Sequence, residues 1–508
     1  MIEDSFLYRV AQEEWSRYGN QWRERVYVFP NRRSALFFRK YMAVCAGRPI
    51  FSPKTITVNQ LFADHSELTI ADPVALLFDT YAVYKDIYLT PNHLTETFDE
   101  FVFWGRMLIS DFNEVDANLV SAEQLFVNLS DLKEIEERFP TPRTPWQEAE
   151  LISLQQFAEG FAESDNRLRR HFLSIWKCLL PLYNELRTRL RAKGEAYTGM
   201  MCRDVIEHFA EADYKHCVFI GFNVLNGVER QLMHLLQESS KATFYWDYAP
   251  PYLNDSNNRA SLFMQQNLQE FPSAFSVNEN NAQPAIHWLQ TSSAAAEARC
   301  AAQIISEMGE LTSDDWTRVG VVMPDEQLLP MVLDSLPNNI CHVNITMGQP
   351  LRTTPIYSLI QHLSRLNMLL KRDNNSEALF YYDTVFSLLY HPYINQKIDS
   401  EWLSEQISII RSQNMLYVRK RLFDDQPILK HLFEIGEATT AIPHRLAQLL
   451  RQLIDRDTDQ PNEKNECIYQ VLLVLQRLEQ LLGKHNGIAL QPRTFYQILL
   501  NLLDSVSI

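Results

Sequence analysis

A β-prone apolar run that ends abruptly, and that recurs only after a long helical stretch, is what most limits the folds open to this chain. Val26, Tyr27, Val28 and Phe29 form the first run, and Pro30 halts it. Proline ends a strand because it has no N–H to give the ladder and its φ is fixed. A helix is expected next, from Arg33 to Met42, with Leu36, Phe37 and Tyr41 supplying its buried face. A second β-rich run, Thr55, Ile56, Thr57 and Val58, follows Pro53. This is a β–α–β opening, the unit of a parallel sheet. Residues 65–195 change texture. They are aromatic-rich and helical in pattern, as in FDEFVFWGRMLISDF and FLSIWKCLLPLYNELRTRL, with little glycine and few β-branched runs. The sheet signal returns at residues 216–221 (HCVFIG), followed by the helical VERQLMHLLQ and a strand at 242–246. Residues 1–64 and 196–285 therefore read as one α/β domain, interrupted by a helical insertion at 65–195.

A second α/β region is expected over residues 286–365. It offers strands at 286–291 (IHWLQT), 319–323 and near 343–345, alternating with helices. Residues 366–508 read as helical, with leucine-dense stretches such as VLLVLQRLEQLLG, and form a second insertion. The expected class is α/β, with two parallel-sheet domains carrying large helical insertions. The second sheet should be incomplete, because the chain stops inside the second helical region. No repeat of fixed period and no low-complexity tract is present.

Length and charge bound the function. A chain of 508 residues exceeds what one hydrophobic core organises. Lys and Arg number 47 against 63 Asp and Glu, a formal charge of −16. Such a chain repels phosphate at long range, which counts against a general DNA-coating protein but leaves room for a local basic groove. The seven cysteines, Cys45, Cys178, Cys202, Cys217, Cys300, Cys341 and Cys467, show no CxxC spacing, so they mark no zinc or iron–sulfur site. They fit buried thiols in a reducing compartment. The first residues, MIEDSFLYRV, are acidic and lack a signal peptide's apolar stretch, and no apolar run approaches the roughly 18 residues of a membrane span. A cytoplasmic protein without membrane contact is expected.

The common catalytic motifs fail. There is no GxxxxGK[ST]; Gly483 and Lys484 are followed by His485. A phosphate cradle needs glycines that free backbone N–H groups and a lysine for the β/γ-phosphates. HExxH, GxSxG and the dinucleotide fingerprint are missing too. Asp131, Leu132 and Lys133 have the D-x-K spacing of a nuclease site, but they lie in the helical NLSDLKEIEERF, whereas such a site occupies a strand edge. A solvated helix face explains them. No catalytic residue, metal site or cofactor is assigned to this chain.

Two α/β domains, the first interrupted and the second running into another helical block, is the plan of UvrD-like superfamily-one helicases. Phe29, Pro30, Asn31, Arg32, Arg33 and Ser34 resemble the helicase motif Phe-Thr-Asn-Lys-Ala-Ala, whose loop touches single-stranded DNA. Thr57, Val58, Asn59, Gln60 and Leu61 resemble the next motif, Thr-Phe-His-Gly-Leu, with Asn59 in place of the histidine. The resemblance implies DNA contact by Asn31, Arg32, Arg33, Thr57, Asn59 and Gln60. Where active relatives carry Asp-Glu-Phe-Gln-Asp-Thr-Asn, this chain has residues 220–226, IGFNVLN. The metal-binding aspartate falls on Ile220 and the catalytic glutamate on Gly221, and Asn223 belongs to the same degenerate string. Isoleucine holds no metal and glycine activates no water. Trp246 and Asp247 stand where relatives have Gly-Asp, with no nucleotide-sensing glutamine after them. Near Thr291, Ser292 and Ser293 the γ-phosphate arginine is missing.

Lost nucleotide contacts on a retained apolar frame resemble the AddB/RexB subunit of bacterial helicase–nucleases, in the version that also lacks the Gly-rich ATP loop. VFPNRRSALFFRKYM and MGQPLRTTPIYSLI are similar to that group. The likeness spans nearly the whole chain, and the order of the motifs carries it more than any one of them. It implies a non-catalytic portion of a double-strand-break repair and recombination protein. Such a portion guides single-stranded or end DNA and pairs with an active UvrD-like helicase–nuclease subunit. It also implies a longer parent, continuing into the rest of the second motor domain and a PD-(D/E)XK exonuclease. Two other readings compete: an active ATP-dependent helicase, which needs acidic groups at 220 and 221, and a helical interaction scaffold with no DNA role, which the acidic charge favours. Duller readings stand beside individual residues. Arg32 and Arg33 can start a solvated helix, Phe101, Trp104 and Phe222 can be core, Asn223 and Asn226 can be turn residues, and Cys217 a small buried hydrophobe.

Overall fold

The computed structural model describes residues 5–126, 167–248, 253, 259–275, 285–308, 319–338, 340, 343–346, 348–374, 377–434, 439–455, 462–484 and 490–507. The chain forms two compact units, Met1–Ala282 and Gln283–Ile508.

The first unit is built on a four-stranded, wholly parallel sheet. Its strands are β1 (Arg25–Phe29), β2 (Lys54–Thr57), β5 (His216–Ile220) and β6 (Ala242–Tyr245), in the order β2-β1-β5-β6. β1 is buried along its whole length, and a strand covered on both faces needs the unbroken apolar run seen in its sequence. On one face Tyr27, Phe29, Val218, Ile220 and Tyr245 pack with Val10 and Ala11 of helix α1 (Phe6–Tyr18) and with Ala35, Phe38 and Met42 of helix α2 (Arg32–Ala46). Each such large side chain contributes about 1.5–3 kcal/mol by leaving water. The opposite face is aromatic. Phe219 and Phe244 stack at 5.5 Å, and the buried Trp246 donates its indole N–H to the Phe271 carbonyl at 2.7 Å.

The buried face of α2 differs from the expectation. Leu36 is 58% exposed and Phe37 also faces outward, while Ala35, Phe38 and Met42 face the sheet; of the three expected residues, Tyr41 is half-buried against this core. Asn31 caps the helix and so sets its phase, which turns the i, i+3, i+7 row beginning at Ala35 inward. β2 ends at Thr57 rather than Val58, because Thr57 caps helix α3 (Val58–Asp64).

Glu14 has no solvent exposure. From α1 it reaches across the sheet, accepting from the Tyr27 hydroxyl at 3.1 Å and the Tyr245 hydroxyl at 2.8 Å, and pairing with Arg25 Nε at 2.9 Å. Burial raises the Glu14 carboxyl above its ordinary range, opposed by Arg25 and the two hydroxyls. A buried charge is tolerable only when paired and hydrogen-bonded, so this group fixes α1 to β1 and β6.

Between α3 and β5 lies the helical portion. Two short parallel strands, β3 (Thr69–Ile70) and β4 (Glu195–Ala196), pair where the chain leaves and returns. Helix α4 (Pro73–Tyr84) starts with Asp72 as cap and proline at its first position, and helix α5 (Phe98–Ala117) with a Thr97–Glu100 capping box. They pack with the long helix Arg167–Lys193 and the helix Thr198–Glu207. Fully buried Tyr84, Phe98, Phe101, Phe112 and Tyr183 make its core, so Phe101 is core, while Trp104 is only half-buried. Asp116, also without exposure, accepts from the Tyr183 hydroxyl, the Tyr197 hydroxyl at 2.5 Å and Arg203 Nη1 at 3.0 Å.

The C-terminal turn of α5 receives two glycines. A Cβ at Gly199 would lie 2.3 Å from the Asn113 carbonyl oxygen, and one at Gly227 would lie 2.5 Å from that of Asn118. Only glycine permits both approaches.

The second unit corrects the expectation for residues 286–365. The described residues among 286–291, 319–323 and 343–345 form no strand. Trp288 is 91% exposed and Val322 89%, so these β-prone side chains find no cover. Strand preference expresses fit to a neighbouring strand, and none is supplied among the described residues. The region read as helical instead carries an antiparallel sheet of β7 (Lys371–Arg372), β8 (Ala378–Tyr381) and β9 (Tyr417–Arg419). Most of the other described residues of this unit are helical. Pro355–Met368, for example, packs on Pro492–Asp504, and across the pair Asn367 Nδ2 donates to the Tyr496 hydroxyl at 3.2 Å.

Among the described residues, no helix is long and apolar enough to cross a membrane, and no group of three or more His, Cys, Asp or Glu could hold a metal. Asp131 and Lys133 lie outside the described residues.

Candidate nucleic-acid interface

In a parallel sheet every strand points its carboxyl end the same way, and loops that leave those ends line the usual ligand edge. β1 and β2 are neighbours with Phe29 opposite Thr57, so the two loops begin side by side, about 4.8 Å apart. Asn31 accepts from the Ser34 amide at 2.9 Å through Oδ1 and caps α2. Thr57 accepts from the Gln60 amide at 3.3 Å and caps α3. Two capped helix N-termini, that of the fifteen-residue α2 and that of the short α3, therefore stand together at this edge, and α2 turns the positive end of its dipole towards it. Arg32 and Asn59 are exposed, and Arg33 is half-buried. Gln60 is exposed but donates to Asp64 Oδ1 at 2.7 Å, and the same carboxylate pairs with Lys54 at 3.5 Å.

The next two strand ends hold the degenerate nucleotide-site positions. Ile220 is fully buried in the core beneath α1, where a carboxylate would have no water. Gly221 has φ +71°, a left-handed conformation that strains any side chain, and its amide donates to the Tyr245 carbonyl at 3.0 Å. The Asn223 carbonyl accepts from the buried Asn267 at 2.6 Å. Asn226 caps the following helix, Gly227–Glu238, in a reciprocal box with Glu229. Burial raises the Asp247 carboxyl at the end of β6, and nearby Arg9 offsets part of that. Phe222 and Cys217 are core. The motif residues Asn31, Arg32, Arg33, Thr57, Asn59 and Gln60 and the positions 220, 221, 223 and 247 thus gather at one sheet edge, with Ile220 turned inward.

A wider signal lies in the distribution of charge. From Arg25 to Ala63 the chain has seven cations, Arg25, Arg32, Arg33, Arg39, Lys40, Arg48 and Lys54, and no Asp or Glu. The net −16 is therefore +7 in this segment and −23 elsewhere, since −16 − 7 = −23. Arg39 and Lys40 are exposed on α2, both about two turns beyond Arg32. Reading by motif alone passed over them; counting acids along the chain would have found them. The chain matches no protein-family model, and no curated protein is significantly similar to it.

Proposed function

We propose that the first unit binds single-stranded nucleic acid at the carboxyl edge of its parallel sheet, as a non-catalytic, helicase-shaped portion of an AddB/RexB-like repair protein working beside an active motor subunit. The observation that carries this reading is the acid-free basic segment spanning the two capped helix N-termini, set in an otherwise acidic chain. Phosphate gains from the exposed cations Arg32, Arg39 and Lys40 and from the positive end of α2 together. The acidic remainder confines binding to this edge and keeps it weak. Ile220 in the core and Gly221 at positive φ favour guidance over ATP hydrolysis, because neither position accommodates a working carboxylate.

The test is a salt series with a fluorescent oligothymidylate, comparing the wild-type chain with Arg32→Ala/Arg33→Ala. Two lost phosphate contacts should lower affinity and flatten the salt dependence by about 1.4 in log–log slope, at about 0.7 per contact on a single strand. Equal affinity and equal slope would leave the arginines as a solvated helix start. Metal-dependent ATP turnover abolished by substitution at Gly221 would overturn the non-catalytic reading.

A further inference from the structure

We infer that a cleft in the helical portion of the first unit, between α5 and the long helix Arg167–Lys193, is a binding site for an organic cation with an apolar body. The cleft has a volume of about 610 Å³, within the range of small-molecule sites. Its walls include the indoles of Trp104 and Trp176 and the thioether of Met107. Three carboxylates, Glu96, Glu100 and Asp111, share it, and among the described residues no Lys, Arg or His lines it.

Glu96 and Glu100 are held in place by hydrogen bonds, and Glu100 and Asp111 are exposed. Glu96 accepts from Trp104 Nε1 at 2.8 Å through one oxygen and from the Tyr84 hydroxyl at 2.7 Å through the other, which fixes both the acid and the indole. Trp104 is held further by edge contacts with Tyr84 and Phe101, at 4.6 and 4.7 Å. Glu100 accepts from the Thr97 amide at 2.8 Å, and these bonds hold its carboxyl below the usual range, so it stays charged. Asp111 differs. Partial desolvation raises its carboxyl above the ordinary range, although the residue is exposed.

The chemistry selects the ligand. An anion is repelled by three carboxylates. A hydrated inorganic cation gains nothing from indoles and a thioether. A neutral apolar compound leaves Asp111 desolvated and unpaired, which is costly. An alkyl or aryl guanidinium or ammonium satisfies both parts, laying its apolar body on the indoles, with cation–π attraction, and turning its charge to the acids. The site is independent of the nucleic-acid edge.

The test uses the full chain and two isosteric probes, phenethylguanidinium and the neutral phenethylurea, with calorimetry and saturation-transfer NMR. The guanidinium should bind saturably and the urea at least about ten-fold more weakly. Asp111→Asn should weaken the guanidinium about five-fold and leave the urea unchanged. Met107→Arg places a fixed cation in the cleft and should abolish guanidinium binding. Met107 is 58% exposed, so that variant folds, and circular dichroism verifies it. Equal binding of the two probes, binding that survives Met107→Arg, or no saturable binding of the guanidinium would each overturn the inference.

Discussion

Replacing Asp116 by alanine should be among the most damaging single changes in the first unit. The carboxylate is fully buried and serves three donors at hydrogen-bonding distance, with Arg187 Nη1 a further 3.8 Å away. Alanine leaves the Tyr197 hydroxyl without its acceptor and two guanidinium groups without their buried counter-charge. Arg203 keeps the Val120 carbonyl at 3.0 Å and Glu207 at 3.1 Å, and Arg187 keeps the Tyr183 hydroxyl at 2.8 Å. These remaining contacts soften the loss without cancelling it. Breaking a buried pair typically costs about 3–5 kcal/mol, and this hub should lie in that range. Tyr197→Phe removes one hydrogen bond to a charged acceptor and should cost about 1.5–3 kcal/mol. Because both changes touch one group, the double variant should lose less than the sum. Urea unfolding followed by circular dichroism, with hydrogen exchange assigning the transition to the first unit, measures all three. A loss below about 1 kcal/mol for Asp116→Ala, or strict additivity with Tyr197→Phe, would refute the hub.

Three further outcomes are expected. Glu14→Gln leaves Arg25 buried beside a neutral group and should cost about 3 kcal/mol, while Glu14→Gln/Arg25→Met should recover much of it in the same unfolding assay. Gly227→Ala forces a Cβ against the Asn118 backbone and should cost about 1–3 kcal/mol, read as a drop in the unfolding midpoint. Burial, aided by the charge of Arg25, lowers His216 from 6.5 to about 4. Below about 6.5 the unfolded chain therefore takes up a proton that the folded chain refuses, and stability falls as pH drops from 6.5 towards 4. His216→Gln should flatten that fall in unfolding experiments across this window, and an unchanged profile would contradict it.

The strands of the parallel sheet were legible because each is short and rich in β-branched or aromatic residues, with β1 closed by Pro30, β2 by its capping Thr57 and β5 by Gly221. Asn31 was legible as a cap from its place after Pro30. The face of α2 was not, since Leu36 and Phe38 are equally apolar and only the phase set at Asn31 tells which turns inward. Residues 286–291 read as a strand because Ile286, Trp288 and Leu289 suit one, but pairing is a property of neighbours, which a local pattern does not contain. β8 was hidden for the opposite reason: Leu379, Phe380 and Tyr381 sit amid leucine-rich helices and take their strand form from β9. Residues on the candidate edge were visible as motifs, whereas Arg39 and Lys40 emerge only from the absence of acids around them.

The two glycines at the end of α5 bear on how force would pass through the molecule. The strands β3 and β4 alone would make a swivel, a two-residue neck about which the helical portion could turn. Contact of the Asn113 and Asn118 backbone with Gly199 and Gly227 closes that swivel at a second point. Gly227 opens the helix that follows β5, so a load applied to α5 is delivered directly behind the carboxyl edge of the sheet. The helical portion and that edge should then behave as one lever rather than two hinged parts, and a bulkier residue at either glycine would loosen the joint before it unfolded the protein.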